Sequence, residues 1–305
     1  MLAGPASAAT PSRIADLWYA HNEIIVMLGG AERVAVTVAS PEAFPWMFRI
    51  APSLHAARRV AAGSVNVETL LEAQVDLAFV SQEKEAQRLQ SFGVQALQVS
   101  FTDAKSLLEC IRRTAEALDT AQARTRLAEF QDYLDAVRQE LARGLADIPA
   151  NSHPRVLHLA SLAPLRADGD GTIIDEWIGL AGGRNAATGL HGNLQTISFE
   201  QVAAWNPDII ILGGTAGDTP PGSIWTDLPA VRAGKVFRNP AGVFPWDRYG
   251  TEFALQVQWT AKLLHPDKFA SLDMQAVTIA FYRRFFNYDM SLSEAGLVLA
   301  GQPPP

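Results

Sequence analysis

The sequence has few of the residues and motifs that carry covalent or metal chemistry. Cys110 is the single cysteine, which excludes an internal disulfide and any zinc or iron–sulfur site built from several cysteines. The patterns HExxH, CxxC and GxSxG and a glycine-rich phosphate loop do not occur, and the six histidines are scattered. No pair of nucleophile and base can therefore be assigned from the sequence.

Excess positive charge and long apolar runs are also missing. The chain has a formal net charge of −7 and no dominant basic patch, so nucleic acid is not an expected partner. No apolar run has the length needed to span a bilayer. Residues 1–12 are small, with an Ala-Ser-Ala stretch like the cleavage end of a secretory signal whose charged and apolar parts are absent or truncated. We expect a disordered leader there and an exported protein.

One segment of the chain occurs twice. The first copy begins at Val65 and reads VNVETLLEAQVDLAFV, and the second begins at Ile197 and reads ISFEQVAAWNPDIIIL. Both place a glutamate, a helical turn, an aspartate and an apolar run in the same order without a gap. Because solenoid repeats are much shorter than this separation, the duplication predicts two related lobes.

Strands and helices alternate in both halves of the chain. The βαβα alternation predicts an α/β fold of two Rossmann-like lobes with parallel sheets, each lobe with its own core. Between them, apolar residues recur at steps of three and four from Leu127 to Leu141, which predicts one long helix. We therefore expect a first lobe over 13–119, a connecting helix over 120–148 and a second lobe over 149–305. Residues 19–22, 40–63 and 161–171 are predicted to be loops.

The predicted loops that follow the strands contain arginines and aromatic residues. Ligands of parallel α/β sheets bind at the carboxyl ends of the strands, where arginines hold carboxylates or oxyanions and rings cover apolar surface. The predicted ligand-binding residues are Trp18, Tyr19, His21, Trp46, Arg49, Arg166, Trp246, Arg248 and Tyr249. Each arginine alone is also consistent with a solvated surface residue, the two tryptophans Trp46 and Trp246 with core anchors, and His21 with a loop hydrogen bond. His158, inside a strand, is expected to be a core residue.

Glu68 and Glu200 occupy the same position in the two copies of the repeat. Each is the second residue of a predicted helix and follows a capping residue, Asn66 or Ser198. The helix dipole stabilises a carboxylate there by about 0.3–1 kcal/mol, which is sufficient to explain either one alone. It explains less well why both lobes have the same acid in the same place. We therefore interpret the two carboxylates as docking points for two basic sites on a symmetric partner.

The order of these segments resembles the substrate-binding proteins of ABC importers for metal chelates, the vitamin B12, iron–siderophore and haem class. Besides the two copies of the repeat, the resemblance is carried by NEIIVMLGG, DEWIGLAGGRNAA, WTDLPAVRAGKVFRNP, WDRYGTEFALQVQWTAKLLHPDKF and FYRRFFNYDMSLSEAGLVL. The closing motifs are most similar to the branch that takes up iron, other metal complexes and oxyanions such as molybdate. The chain departs from the family pattern at WYAH before Asn22 and in lacking a proline before Asp76, and the ligand does not carry over.

The resemblance implies a periplasmic monomer of two lobes joined by one long helix, with small closure on binding. It implies capture of a metal complex or small oxyanion between the lobes, without catalysis or a cofactor. It also implies delivery to an ABC importer, with Glu68 and Glu200 on arginines of the permease dimer. Two alternatives remain open: a two-lobed Rossmann-like enzyme with a cleft active site, and a sensor that binds a membrane receptor. Whether protein side chains bind a metal directly also remains open.

Overall fold

The first half of the chain forms a fully parallel sheet. A computed structural model describes residues 10–63, 65–214, 216–217 and 224–305, so most of the expected leader lies outside the described residues. The sheet has the order β3-β2-β1-β4-β5. Its strands are β1 (Ile14–Asp16), β2 (Val34–Thr37), β3 (Arg58–Arg59), β4 (Leu77–Val80) and β5 (Ala96–Gln98). The chain leaves central β1 towards β2 and returns to β4 on its other side, so the loops after β1 and β4 diverge into a crevice.

Five helices accompany this sheet, and two of them occupy segments predicted to be loops. They are α1 (Tyr19–Met27), α2 (Pro45–Ile50), α3 (Val67–Glu72), α4 (Glu83–Ser91) and α5 (Ala104–Leu118). The loop predicted at residues 19–22 is wrong, because these residues form the first turn of α1. The Asn22 side-chain amide donates to the Trp18 carbonyl at 2.9 Å. The predicted loop over 40–63 contains α2, whose first residue is a proline with a helix-compatible φ.

The long helix is confirmed as α6 (Ala121–Leu145). The Thr120 side chain caps it by accepting a hydrogen bond from the Ala123 amide at 3.1 Å. The buried residues of α6 are Ala123, Phe130, Leu134, Val137 and Leu141, the face that the apolar spacing predicts. The helix connects the first sheet to a second one, and the exact lobe boundaries at 119 and 149 stay a prediction.

The second sheet is mixed, whereas a parallel sheet was predicted. Its strands are β6 (Arg155–Leu162), β7 (Leu165–Ala167), β8 (Arg184–Asn185), β9 (Gln195–Thr196), β10 (Ile209–Leu212) and β11 (Val236–Arg238). The order is β11-β10-β6-β7-β9, with β8 also paired to β6. β7 runs antiparallel to β6 and β9 antiparallel to β7. The predicted loop over 161–171 is therefore partly a hairpin: the chain turns at Ala163–Pro164, and β7 continues the sheet.

The remaining helices cover the second sheet and the contact between the lobes. They are α7 (Ile173–Leu180), α8 (Phe199–Trp205), α9 (Pro229–Arg232), α10 (Phe253–Leu264), α11 (Met274–Phe286) and α12 (Leu292–Leu299). None of the helices in the described ranges is both long and apolar enough to cross a membrane.

The hydrophobic core is not divided into two separate halves. One buried cluster includes Ile14 and Ile24 of the first lobe, Phe130 of α6, and Val156 and Phe281 of the second lobe. A smaller cluster lies on the outer face of each sheet. The expectation of one core per lobe is thus wrong for the inner faces, which share apolar contacts across the lobe boundary.

Candidate functional site

Aromatic residues from both lobes meet at the carboxyl ends of the two sheets. Trp18 follows β1 and Phe101 follows β5, and their ring centroids lie 6.3 and 5.6 Å from that of Tyr249, which follows β11. Phe44, after β2, stacks on Phe244 of the second lobe at 5.2 Å. These contacts locate the cleft at the edge where parallel sheets bind their ligands.

Three predicted site residues lie on this surface. Trp18 and Tyr249 are half-buried, and Tyr19 is exposed with its ring 5.6 Å from Phe44. The Tyr249 hydroxyl accepts a hydrogen bond from the Asn193 amide. Burial raises the pKa of the Tyr249 hydroxyl above its ordinary value. The phenol is therefore a neutral hydrogen-bonding group near neutral pH.

His21 is not on the cleft surface, so its predicted role in ligand binding is wrong for this conformation. The ring is fully buried, with Nδ1 2.9 Å from Asp16 Oδ2 and Nε2 2.8 Å from Thr114 Oγ1. Both nitrogens are engaged because α1 begins two residues earlier and turns the ring into the core. The alternative interpretation, a loop hydrogen bond, is right that the ring is hydrogen-bonded, but His21 lies in the first turn of α1 and not in a loop.

Trp46 and Trp246 are core anchors, which corrects their prediction as cleft residues. They are 2% and 1% exposed. Trp46 Nε1 donates to the Gln302 carbonyl at 2.8 Å, and Trp246 Nε1 donates to Glu252 Oε1 at 2.8 Å. A buried indole N–H usually has such an acceptor. The bond of Trp46 connects the first lobe to the C-terminal end of the chain, and that of Trp246 lies within the second lobe.

Arg49 lies in a surface groove beside the C-terminal helices. Its Nε donates to the Tyr288 hydroxyl at 3.3 Å, and Nη2 lies 3.7 Å from Glu294. The side chain is 52% exposed. With Phe48 and His55 it lines a groove of about 580 Å³.

Arg166 and Arg248 come from neighbouring parts of the second lobe. Arg248 makes a bidentate ion pair with Asp168, at 3.0 and 3.1 Å, and its side chain stays 17% exposed. Arg166 lies on β7, two residues before Asp168, and its buried Nε has no hydrogen-bond partner within the described residues. The Oδ1 atom of Asn193 is likewise buried and unpartnered in that part of the chain. Each of these atoms thus has unused hydrogen-bonding capacity within the described chain.

Sequence reasoning missed Phe44, Phe101 and Asn193. Phe101 follows the last strand of the first sheet directly, so its position at a strand end was a usable signal. Phe44 lay in a segment interpreted as a loop, and nothing in the sequence around Asn193 indicates its contact with Tyr249. Among the described residues, no group of three or more His, Cys, Asp or Glu side chains is arranged to hold a metal ion.

Comparison with known proteins identifies the family. Residues 14–242 match the periplasmic binding protein family.

The chain belongs to the periplasmic binding protein family.

One curated relative of this periplasmic binding protein aligns with about half of the chain. The molybdate-binding protein MolA of Haemophilus influenzae is 28% identical over 156 residues, which is 50% of this chain and 44% of MolA. The chain thus matches less than half of this curated relative.

Solved structures show the same two-lobed fold over nearly the whole chain. A periplasmic solute binding protein of Veillonella parvula has a TM-score of 0.83 at 24% identity, covering 95% of this chain and 92% of that one. MolA bound to molybdate has a TM-score of 0.80 at 22% identity, covering 92% and 94%. The vitamin B12 binding protein BtuF of Vibrio cholerae has a TM-score of 0.67 at 18% identity, covering 87% and 99%.

Two buried carboxyl groups lie where the lobes of this periplasmic binding protein meet, and that of Glu23 bonds across the boundary. Glu23 Oε1 on α1 accepts hydrogen bonds from the backbone amides of Thr251 and Glu252 at 2.8 and 3.0 Å. Glu252 Oε2 accepts from the Phe244 amide at 2.8 Å, and Oε1 accepts from the Tyr282 hydroxyl. Burial raises the pKa of Glu252 to about 7, and burial together with the charge of Glu252 raises that of Glu23 well above its ordinary value.

Glu68 and Glu200 are exposed in the first turns of α3 and α8 of this periplasmic binding protein. The Asn66 cap accepts from the Glu68 amide at 3.0 Å, and the Ser198 hydroxyl accepts from the Gln201 amide at 3.3 Å, so both predicted caps are confirmed. The Ser198 hydroxyl lowers the pKa of Glu200. Their docking role stays a prediction.

Proposed function

We propose that this protein is an extracytoplasmic receptor that captures a metal complex or small oxyanion between its lobes and delivers it to an ABC importer. The observation that supports this best is the meeting of both sheets' carboxyl ends at a cleft lined by Trp18, Phe101 and Tyr249. Arg166 and Asn193 add buried polar atoms without partners in the described chain. An apolar surface with a few convergent polar groups is typical of small-molecule sites.

The geometry favours a compact ligand. Rings from opposite lobes are already in contact, at 5.2 Å for Phe44 and Phe244. A large planar or macrocyclic ligand would have to separate these rings, and the shared inner core opposes that movement. Arginines bind oxyanions well because the guanidinium offers several donors in one plane. We therefore propose a compact anion as the ligand in preference to haem or cobalamin. Molybdate is one such anion, and the relative MolA is named as a molybdate-binding protein.

The alternative of a two-lobed enzyme has no comparable support. The matching family and the structural neighbours are solute-binding proteins. The aromatic contacts across the cleft suit binding, and no nucleophile beside a free base lies among the cleft residues described above.

Ligand titration tests this proposal. Tryptophan fluorescence and calorimetry are followed while molybdate, a ferric siderophore, haem or cobalamin is added, and protein purified without stripping is analysed for metals. We expect saturable binding of molybdate with a fluorescence change, because Trp18 lies at the cleft.

A Trp18→Phe variant should lose most of the fluorescence change. The matched control Trp205→Phe, on α8 and distant in the chain from the cleft residues, should keep it. Absence of binding by all four probes, together with no co-purified ligand, would overturn the receptor proposal.

A further inference from the structure

A buried histidine in the second lobe lies between two carboxylates. His158, on β6, places Nδ1 2.9 Å from Asp168 Oδ2 and Nε2 2.8 Å from Asp247 Oδ2. All three side chains are at most 1% exposed. An ionised carboxylate can only accept hydrogen bonds, so each ring nitrogen must carry a hydrogen to satisfy its partner. If both carboxylates are ionised, the geometry is satisfied by an imidazolium ring that donates in both directions.

The electrostatics of the site agree with this geometry. Burial lowers the pKa of His158, but the hydrogen bonds to Asp168 and Asp247 outweigh it and raise the pKa above the ordinary value of 6.5. Burial likewise raises the pKa of Asp168, and His158 and Arg248 together outweigh that effect and hold it below its ordinary value. Both directions favour charged partners over neutral ones.

Arg248 connects this buried pair of carboxylates to the cleft. Its two terminal nitrogens contact both oxygens of Asp168 at 3.0 and 3.1 Å, and Nε lies 3.6 Å from Asp247. The next residue, Tyr249, contacts Trp18 of the opposite lobe. The cluster of His158, Asp168, Asp247 and Arg248 is neutral only while His158 is protonated. Without that proton, one net negative charge would lie directly behind Arg248.

The other elements packed on the ring bring no compensating charge. The Trp177 ring of α7 lies 5.9 Å away, edge-on. Gly213, after β10, leaves room for the ring, since a Cβ there would lie 3.2 Å from Nε2 of His158. Within the described residues, the charged groups that act on the ring are Asp168 and Asp247, and Arg248 in turn acts on both of these carboxylates.

We infer that His158 is a positioning residue for anion capture. Its positive charge offsets Asp168 and Asp247, so that Arg248 contributes its positive charge to the cleft wall. This inference rests on the proposed function for its ligand, a compact anion. Because the cluster is shielded from water, the loss of one charge is felt strongly by a bound anion, and a coupling of about tenfold in affinity is expected.

Charge-balance variants test the inference with molybdate as the probe, by calorimetry near pH 7. His158→Gln leaves a net charge of minus one and should weaken binding about tenfold. Asp247→Asn in the same chain restores neutrality, and the double variant should recover affinity to within about threefold of the wild type. A double variant that binds more weakly than His158→Gln would show that the ring acts only through packing, and would overturn the inference.

The control is His265→Gln, which removes an imidazole that bonds the Gly182 carbonyl at 3.0 Å, outside the cluster. It should bind molybdate as the wild type does. Thermal unfolding of each variant verifies that it is folded. Wild-type affinity should also stay constant near neutral pH and fall when His158 loses its proton at higher pH.

A measurement without ligand decides the protonation state independently. In nitrogen-15 NMR spectra of the wild type near pH 7.5, both ring nitrogens of His158 should be protonated, with the resonance assigned by its loss in His158→Gln. A neutral tautomer at that pH would overturn the inference even if molybdate binds. If molybdate does not bind but the ring is an imidazolium, the proposed ligand is wrong and the charge network stands.

Discussion

Glu23 and Glu252 differ in the hydrogen bonds that they accept. Both oxygens of Glu252 accept from donors, whereas Oε2 of Glu23 is buried and has no partner among the described residues. An ionised oxygen without a donor is costly in a buried site, so Glu23 is the group that holds a proton. Its other oxygen still accepts from Thr251 of the opposite lobe. Of the two glutamates, Glu23 is therefore the one whose carboxyl group bonds across the lobe boundary.

The pKa directions of this pair predict how stability depends on pH. A group with a raised folded-state pKa binds more protons when folded, so its stabilisation is complete at low pH and is lost as pH rises through the folded value. For Glu252 this loss extends from about 4.5 to about 7. The free energy of unfolding, measured with urea, should therefore fall as pH rises over this range.

The Glu23→Gln variant isolates the contribution of one partner. Glutamine keeps an oxygen for the Thr251 and Glu252 amides but carries no titrating group, so the fall with pH should be shallower. Above pH 7 the variant should exceed the wild type in stability by about 1 kcal/mol. The matched change Glu72→Gln, at an exposed residue paired with Arg58, should leave the pH dependence unaltered. Equal slopes for wild type and Glu23→Gln would contradict this assignment.

The helix α6 contributes to both lobes at once. Its buried residues belong to the inner cluster, which also contains residues of α1 and α5 from the first lobe and of α10 and α11 from the second. The rings of Phe130 and Phe285 of α11, for example, lie 5.7 Å apart edge-to-face. A rigid connection of this kind favours small changes of lobe orientation over wide opening.

Shortening a buried side chain of α6 should lower the stability of the whole molecule. Leu134 is fully buried, so Leu134→Ala should lower the free energy of unfolding by about 2–5 kcal/mol through lost apolar contacts and the remaining cavity. The matched control Leu71→Ala, 52% exposed on α3, should change it by less than about 0.5 kcal/mol.

Far-UV circular dichroism and tryptophan fluorescence should report one common transition for Leu134→Ala, because the two lobes share this core. Separate transitions for the lobes would show that α6 does not couple them.

In the whole molecule, the aromatic cleft and the two exposed glutamates of the duplicated segment lie on different parts of the surface. Glu68 and Glu200 lie outside the aromatic contacts of the cleft, on the exposed first turns of α3 and α8. Charge complementarity at an interface rim mainly controls association with a partner. Ligand capture and permease docking are therefore expected to be separable by mutation.

The double reversal Glu68→Lys/Glu200→Lys tests that separation. It should abolish ligand-dependent uptake through the cognate importer and leave the molybdate affinity within about twofold of the wild type, since rim charges contribute little to a separate site. Uptake into cells or proteoliposomes and calorimetry measure the two properties. Glu116→Lys, another exposed reversal on α5, is the control and should preserve uptake. Loss of ligand affinity in the double reversal would place these glutamates in the binding site or the fold.

Much of the architecture follows from short-range patterns in the chain. The alternation of strands and helices, the caps at Asn66 and Ser198 and the apolar face of α6 depend on residues a few positions apart, and the structure confirms them. The duplicated segment likewise predicted two related lobes. The family match agrees with the resemblance that the ordered motifs carry.

The accessibility of the site residues depends instead on contacts between distant parts of the chain. Buried Trp46 donates its indole hydrogen to a carbonyl 256 residues away, and His158 is paired with a carboxylate 89 residues away. Trp18 and Tyr249 form one surface only because the two lobes come together at this point. Local periodicity reports which face of a helix or strand is apolar, but it carries no information about which distant segment covers that face.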